Sequence, residues 1–207
     1  MPEVNLHDFL NELASAAPAP GGGAVAALSA AMAAALLAMV CHLTIGKKGY
    51  ENLTGDLEQT LERSEEMRQK CFGLMKADQE AFSCAIHAFK LPKTTAGETE
   101  SRKREIEKAF QEAARVPLEL GGRCLDILNL ASTLAEKANR SVISDVGVGA
   151  IMARAALEAA TTNVQVNLPY IKDREFIDQC RQSNVQMLET GRLLYTDVQE
   201  KVYQQIQ

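Results

Sequence analysis

The sequence predicts an all-α fold, an up-and-down array of long, roughly antiparallel helices. Apolar residues recur at helical spacing along almost the whole chain, whereas the strict alternation typical of strands is almost absent. The length of 207 residues predicts a single domain, residues 1–207, with enough chain to bury a sizeable core. We therefore expect one helical domain without a sheet.

Composition and charge narrow the classes of function. The net charge of −5 disfavours nucleic acid as a partner, because binding to phosphates needs a basic surface. The chain has five cysteines, no CxxC motif and three scattered histidines, which indicates neither a disulfide framework nor a zinc site. We expect a protein of the reducing cytoplasm with no bound metal.

Two helices are predicted near the start of the chain. The first is short, with Asn5 as its N-cap, and Pro18 and Pro20 are expected to end it. The second is the alanine-rich run over residues 24–40, which follows three glycines and ends near Thr44.

The alanine-rich helix has three interpretations: a signal peptide, a membrane span or a buried helix. A signal peptide is disfavoured because no Lys or Arg precedes the run. A membrane span is disfavoured because alanine is only weakly lipophilic. Small residues at four-residue spacing let another backbone approach closely, within the domain or across a subunit interface; they are Gly23, Ala27, Ala31 and Ala35. We therefore expect a central buried helix and no membrane partner.

Four longer helices follow, over about residues 53–89, 98–134, 144–167 and 173 to nearly the C-terminus. Pro117 or the Gly121-Gly122 pair is expected to bend the second of these helices. Ser144 is the expected N-cap of the third, and Pro169 stops it.

Asp78 is the polar residue most out of place in this pattern. It lies four residues after Leu74 and four before Phe82, on the apolar stripe of the first long helix. A carboxylate on a buried face is costly unless it is paired, hydrogen-bonded or protonated. One interpretation is a structural ion pair or a helix bend, the commoner reason for a single buried Asp. The other is a general acid/base or a partner for a cationic substrate.

Asp145, Asn163 and Asn167 are further candidates on the helix predicted over 144–167. Asp145 either complements the dipole of the helix N-terminus or, beside two glycines, faces a ligand. Asn163 is either a satisfied core amide or a ligand-binding group, and Asn167 either ends the helix or binds a ligand. Asp145 and Asn163 share a helix face but lie ~27 Å apart along the axis. One small site cannot hold both unless a second chain brings another copy alongside.

Candidate contacts for anions lie elsewhere in the chain. Lys47, Lys48 and Arg140 are either solvated or grip an anionic tail. Backbone N–H groups at the start of the alanine-rich helix form a natural site for anions and polar groups, and the glycines there are Gly21, Gly22 and Gly23. Their pattern is neither GxxxxGK[ST] nor GxGxxG, so no nucleotide site is predicted.

Several segments taken together resemble one known family. They are "LASAAPAPGGGAVAAL", "LTIGKKGY", "KADQEAF", "FQEAARVPLEL", "SDVGVGA" and "TNVQVNLPYIKD", in this order. The series resembles the cyclodeaminase/cyclohydrolase family over nearly the whole chain, from about Leu6 to Asp173. The resemblance implies an all-helical array that forms a homodimer and acts on a folate substrate. The family commonly has Ser where this chain has Ala24, and a third Lys where it has Gly49.

The resemblance implies one of two folate reactions. The first is cyclodeamination, in which 5-formimidoyltetrahydrofolate gives 5,10-methenyltetrahydrofolate and ammonia. The alternative is cyclohydrolysis of 5,10-methenyltetrahydrofolate to 10-formyltetrahydrofolate. Neither reaction needs a metal or an organic cofactor. A second alternative is a helical folate-binding or scaffold protein without activity.

The same resemblance, with the chemistry of the two reactions, suggests roles for the candidate residues. Asp78 or Asp145 would stabilise the cationic one-carbon unit and shuttle a proton. Asn163 or Asn167 would bind the edge of the pterin ring. The two lysines and the arginine would hold the glutamate carboxylates of the folate.

Overall fold

The computed structural model describes residues 5–207. Within this range the chain forms six α-helices: α1 (Leu6–Leu13), α2 (Gly22–Thr44), α3 (Thr54–Lys90), α4 (Ala96–Lys137), α5 (Ile143–Asn167) and α6 (Arg174–Ile206). Short 3₁₀ turns lie between them at Glu51–Leu53, Arg140–Val142 and Leu168–Tyr170. No strand occurs in the described range, and the predicted all-α array of long helices is confirmed.

Helix α2 lies at the centre of the array. It packs on α3, α4 and α5, and most of its residues are buried. Its alanines permit close approach, since a Cβ added to Gly149 of α5 would lie 3.2 Å from Leu37 Cδ2 and 3.4 Å from the Ala33 carbonyl oxygen. By length and composition alone α2 would be able to cross a membrane, but most of it is covered by the neighbouring helices.

The other long helices pack in chain order. α3 packs on α4, α4 on α5 and α5 on α6, while α4 also contacts α6. α4 continues as one α-helix through Pro117. Most buried apolar side chains form one cluster around α2, α4 and α5. A second cluster joins α3 and α4 to the end of α5, and it includes Ala85, Phe110, Val164 and Leu168.

Two of the predicted helix starts are confirmed. The Asn5 side chain accepts a hydrogen bond from the backbone N–H of His7 at 2.9 Å and so caps α1. The Asp173 side chain accepts from the backbone N–H of Phe176 at 3.1 Å and caps α6. These side chains determine where the helices begin because the first N–H groups of a helix have no partner inside it.

The N-cap predicted for α5 is wrong. Ser144 does not cap α5, because the chain enters the helix through a 3₁₀ turn and the α-helix begins at Ile143. A side chain does cap the 3₁₀ turn that precedes α5. It is Asn139, whose amide oxygen accepts from the backbone N–H of Ser141 at 3.1 Å.

The predicted end of α1 is also wrong. Pro18 and Pro20 do not end this helix, which stops at Leu13. The Ser15 hydroxyl donates to the Glu12 carbonyl at 2.7 Å, and this local turn ends the helix before the prolines are reached.

Candidate active site

A cavity of about 300 Å³ lies where the N-terminus of α2 meets α3, α4 and α5. Its volume is at the lower end of the range for small-molecule sites. The polar side chains that line it include Asp78, Asn163 and Asn167, and within residues 5–207 Asp78 is the only Asp, Glu, Lys, Arg or His that lines it. The others are Pro18, Ala19, Gly21, Gly22, Gly23, Ala81, Phe82, Ala85, Phe110, Ala113, Val166 and Tyr170. Predicted site residues from three separate segments thus meet at one cavity.

Asp78 reaches from α3 to the N-terminus of α2. Burial raises the pKa of its carboxyl, and hydrogen bonding by the backbone N–H of Ala24 partly opposes this shift. The positive end of the α2 dipole also favours the ionised form. No ion pair to Asp78 occurs within residues 5–207. A half-buried carboxylate with a raised pKa holds a proton more readily than an exposed Asp, which suits a group that takes up and returns a proton.

Gly23 makes the close approach of Asp78 to α2 possible. A Cβ at residue 23 would lie 2.5 Å from Asp78 Oδ2 and closer still to Oδ1 and Cγ. Any side chain there would therefore displace the carboxylate. Gly22 is less constrained, since a Cβ there would lie 3.7 Å from Nδ2 and 3.8 Å from Oδ1 of Asn163. A Cβ at Gly21 would meet nothing within 4 Å.

Asn163 and Asn167 line the cavity from the last turns of α5. The Asn163 Nδ2 donates to the Ala159 carbonyl at 2.8 Å. The Asn167 Nδ2 donates to the Ala113 carbonyl at 3.0 Å and to the Asn163 carbonyl at 2.8 Å. These bonds use the amide nitrogens within the protein and leave the amide oxygens as acceptors for a ligand.

Three aromatic side chains, none of them a site residue predicted from the sequence, also line the cavity: Phe82, Phe110 and Tyr170. The Phe110 and Tyr170 rings stack with centroids 4.1 Å apart and planes at 22°. Phe82 remains 38% exposed. An aromatic wall of this kind suits a planar ring. One part of this aromatic wall was indicated by the sequence, because Phe82 lies one helical turn after Asp78.

Four predicted site residues lie away from this cavity: Lys47, Lys48, Arg140 and Asp145. Asp145 is half-buried in the first turn of α5, at the opposite end of that helix from Asn163. The rise of the helix separates the two by ~27 Å. A single chain therefore does not bring them to one cavity, as their spacing predicts.

Lys47, Lys48 and Arg140 are exposed near the C-terminal end of α2, and we call them the cationic cluster. The Lys47 Nζ lies 3.5 Å from the Ser141 hydroxyl oxygen. The Arg140 guanidinium donates to the Gln205 carbonyl, at 2.6 Å from Nη2. In the part of the chain that the structure describes, none of the three cations has an acidic partner.

Glycines shape the loop that carries the two lysines. Gly46 and Gly49 have φ values of +77° and +92°, in the left-handed region that glycine favours. The third Lys that the resembled family commonly has would stand at residue 49. A side chain at residue 49 would be strained on this backbone.

Comparisons with known proteins agree with one another. A family model described as "Formiminotransferase-cyclodeaminase" matches residues 5–186. The chain is 43% identical over 201 residues to a methenyltetrahydrofolate cyclohydrolase of Methylorubrum extorquens, covering 95% of this chain and 97% of that protein. It is 32% identical over 184 residues to a formimidoyltransferase-cyclodeaminase of Gallus gallus, covering 89% of this chain and 34% of that protein. The chain thus spans about a third of the length of the second relative.

A solved structure has the same fold. The crystal structure of formiminotetrahydrofolate cyclodeaminase from Thermotoga maritima matches with a TM-score of 0.89 at 31% identity. The match covers 99% of this chain and 98% of that chain. The likeness therefore extends over the whole helical array, including the helices that build the cavity.

Proposed function

The chain belongs to the formiminotransferase-cyclodeaminase family, and from this premise we propose that it is an enzyme of tetrahydrofolate one-carbon chemistry. The observation that carries the proposal is the Asp78 carboxylate, half-buried in a cavity that no described Lys, Arg or His lines. Both candidate substrates have a cationic one-carbon unit, either the protonated formimidoyl group or the methenyl bridge. A carboxylate without a competing protein cation stabilises such a charge.

Cyclohydrolysis of 5,10-methenyltetrahydrofolate is the reaction that we favour. It is supported by the 43% identity to a cyclohydrolase over nearly the full length of both proteins. Asp78 takes a proton from water as the water oxygen bonds to the methenyl carbon. That proton passes to N5 as the bond between N5 and the carbon breaks. The new hydroxyl loses its proton to solvent, and the product is 10-formyltetrahydrofolate.

Cyclodeamination is the second candidate, and it is supported by the structural match to the T. maritima cyclodeaminase. N10 bonds to the formimidoyl carbon and gives its proton to Asp78. Asp78 returns the proton to the departing nitrogen, which leaves as ammonia while the methenyl bridge remains. Both reactions use one carboxylate as base and then as acid, and neither requires a metal or an organic cofactor.

The pterin ring is proposed to lie against the aromatic wall, with its one-carbon unit beside Asp78. Phe82 and Tyr170 provide apolar contact for the ring. The amide oxygens of Asn163 and Asn167 accept hydrogen bonds from N–H donors on the pterin edge. The glycines at the start of α2 let the ligand approach the helix N-terminus closely.

We also propose that the enzyme is a homodimer, with the outer face of α2 in the interface. α2 contains no Asp, Glu, Lys or Arg, and its outer face keeps Val25, Met32 and Met39 37%, 42% and 38% exposed. A continuous apolar strip of this kind is typical of an interface. We place the protein in the cytoplasm, in keeping with five cysteines that form no disulfide in the described range.

An absorbance assay at the methenyl band tests the function with two substrates in parallel. With 5,10-methenyltetrahydrofolate, the expected result is a fall in the band faster than the spontaneous rate. With 5-formimidoyltetrahydrofolate, a rise in the band with release of ammonia would identify cyclodeamination. If the purified protein accelerated neither change, the enzyme proposal would be overturned in favour of a folate-binding or scaffold protein.

The variant Asp78→Asn tests the carboxylate itself. Because a positioned acid/base contributes on the order of 10²- to 10⁴-fold, turnover is expected to fall by at least about 100-fold. Far-UV circular dichroism should show an unchanged helical content. Wild-type turnover in this variant would remove Asp78 from the mechanism.

A further inference from the structure

The cavity around Asp78 lacks a binding site for the folate tail, an inference that rests on the proposed function. A folate ends in a glutamate whose carboxylates are anionic, and Lys or Arg binds such groups best. In the part of the chain that the structure describes, no Lys or Arg lines the cavity. A volume of about 300 Å³ is also small for a whole folate, so the tail extends beyond the cavity. The cations that bind the tail would therefore lie outside the cavity lining.

One cation of the same chain, Arg102, lies behind the aromatic wall and is already engaged there. Its Nη2 donates to the Phe89 carbonyl at 3.0 Å, and its guanidinium lies 5.9 Å from the centroid of the Phe89 ring. Phe89 in turn meets Phe110 and Tyr170 edge to face, with centroids 5.4 and 5.7 Å apart. Arg102 thus supports the wall of the cavity.

The cationic cluster lies at the other end of α2 from the cavity. α2 has 23 residues, which separates its ends by roughly 33 Å. The side chain of Lys47 or Lys48 is far too short to cross this distance to the cavity of its own chain. The cluster nevertheless has the chemistry that the cavity lacks, because its three cations have no acidic partner within residues 5–207.

The outward-facing residues of α2 are spaced symmetrically, so the sequence of steps between them is the same whether it is counted from the N-terminal or the C-terminal end of the helix. Its outward positions follow one another in alternating steps of four and three residues, and they are Val25, Ser29, Met32, Leu36, Met39 and Leu43. Two antiparallel copies of α2 therefore place Val25 against the partner's Leu43 and Met32 against the partner's Leu36. Alternating steps of this kind are those of helices that pack side by side along a long seam.

We propose that two copies of the chain pair through antiparallel α2 helices, and that the partner's cationic cluster binds the glutamate tail of a folate held at Asp78. The C-terminal end of one α2 then lies beside the N-terminal end of the other, so the partner's Lys47 flanks the cavity. A parallel pair would bring the two clusters against each other and leave both cavities without cations. Charge complementarity thus selects a second copy in antiparallel orientation.

Complementation between two defective chains tests the proposal. One chain carries Asp78→Asn, the other carries Lys47→Ala with Lys48→Ala, and different affinity tags allow the heterodimer to be isolated. In a composite site, the heterodimer has one site with both features intact and one site with neither. We expect each mutant homodimer to lose roughly 10-fold or more in kcat/KM, and the heterodimer to recover to about half of the wild-type value.

The alternative outcomes are distinct. If the lysines act within their own chain, the heterodimer gives only the mean of the two homodimers, and the proposal is overturned. It is also overturned if the double lysine variant keeps the wild-type kcat/KM, since the two lysines would then not bind the tail. Failure of the proposed function would be seen separately, as a wild-type protein without activity on either substrate.

A charge in the seam tests the antiparallel pairing. Met32→Glu is expected to yield a folded monomer in sedimentation analysis, with a loss of kcat/KM similar to that of the lysine variant. Val185→Glu is the matched control on the outer face of α6, where Val185 is 69% exposed, and it should remain dimeric and active. A Met32→Glu monomer with wild-type kcat/KM would overturn the composite site.

Discussion

Gly23→Ala is expected to displace the Asp78 carboxylate while leaving α2 folded. The added Cβ would lie 2.5 Å from Asp78 Oδ2 and closer to Oδ1 and Cγ, whereas ordinary contacts begin at 3.4 Å. The carboxylate must therefore retreat by about 1 Å or more. We expect this retreat to weaken the hydrogen bond that the carboxylate accepts from the backbone N–H of Ala24.

The size of the effect follows from this displacement. A shift of about 1 Å at a reacting group costs on the order of 100-fold in rate. We expect kcat to fall by about that factor, and KM to change less because Asn163 and the aromatic wall remain in place. Alanine favours a helix over glycine by up to ~1 kcal/mol, which offsets part of the clash. Circular dichroism and thermal unfolding should therefore report a folded protein.

Steady-state kinetics on a series of glycine variants provides the assay. Gly22→Ala should lose much less than Gly23→Ala, because its Cβ would meet Asn163 at 3.7 Å, an ordinary contact. Gly73→Ala is the matched control on α3, where a Cβ would meet nothing within 4 Å, and it should leave kcat unchanged. A folded Gly23→Ala protein with a kcat within a few-fold of wild type would refute the reasoning.

Three other results are expected. Burial raises the pKa of Asp78, so kcat should fall on the acid side at a pH above the ordinary range of Asp, and a pH–rate profile of Asp78→Asn should lack this limb. Asp78 should stabilise the fold below its unfolded pKa and lose that contribution as the pH rises through its folded pKa. In urea titrations, the unfolding free energy of wild type minus that of Asp78→Asn should therefore fall across this window, and a flat difference would contradict the raised pKa. Tyr170→Ala should raise KM by roughly 2- to 10-fold, because aromatic stacking contributes about 0.5–1.5 kcal/mol, and Tyr170→Phe should raise it less; a KM of Tyr170→Ala equal to that of wild type would exclude the ring from substrate binding.

The polar part of the candidate site was predictable from the sequence, and the aromatic wall was not. Asp78 stands out because a carboxylate interrupts an apolar stripe. The glycines before α2 stand out because three in succession are needed by neither a helix nor an ordinary loop. Phe110 and Tyr170 have no such local signal, because an aromatic residue at helical spacing looks the same whether it lines a cavity or fills a core.

The helix starts also show how far local sequence can predict structure. Asn5 was predictable as a cap and Asp173 as a helix start, because each side chain accepts a hydrogen bond from a residue two or three positions later. Ser144 has the right chemistry but lies inside the helix, because the chain enters α5 through a 3₁₀ turn. A contact with α2 fixes that turn, because the Asn139 Nδ2 donates to the Leu43 carbonyl at 3.3 Å.

Rules that act over a few residues were enough to establish the helices, their apolar faces and the unusual position of Asp78. The packing of the helices was needed to learn which candidates share a cavity. Gly23, Asp78 and Asn163 lie on three helices that are distant in sequence, and the shapes of all the buried side chains together determine how those helices meet. Asp145 shares a helix with Asn163, yet the length of that helix keeps it from the same cavity.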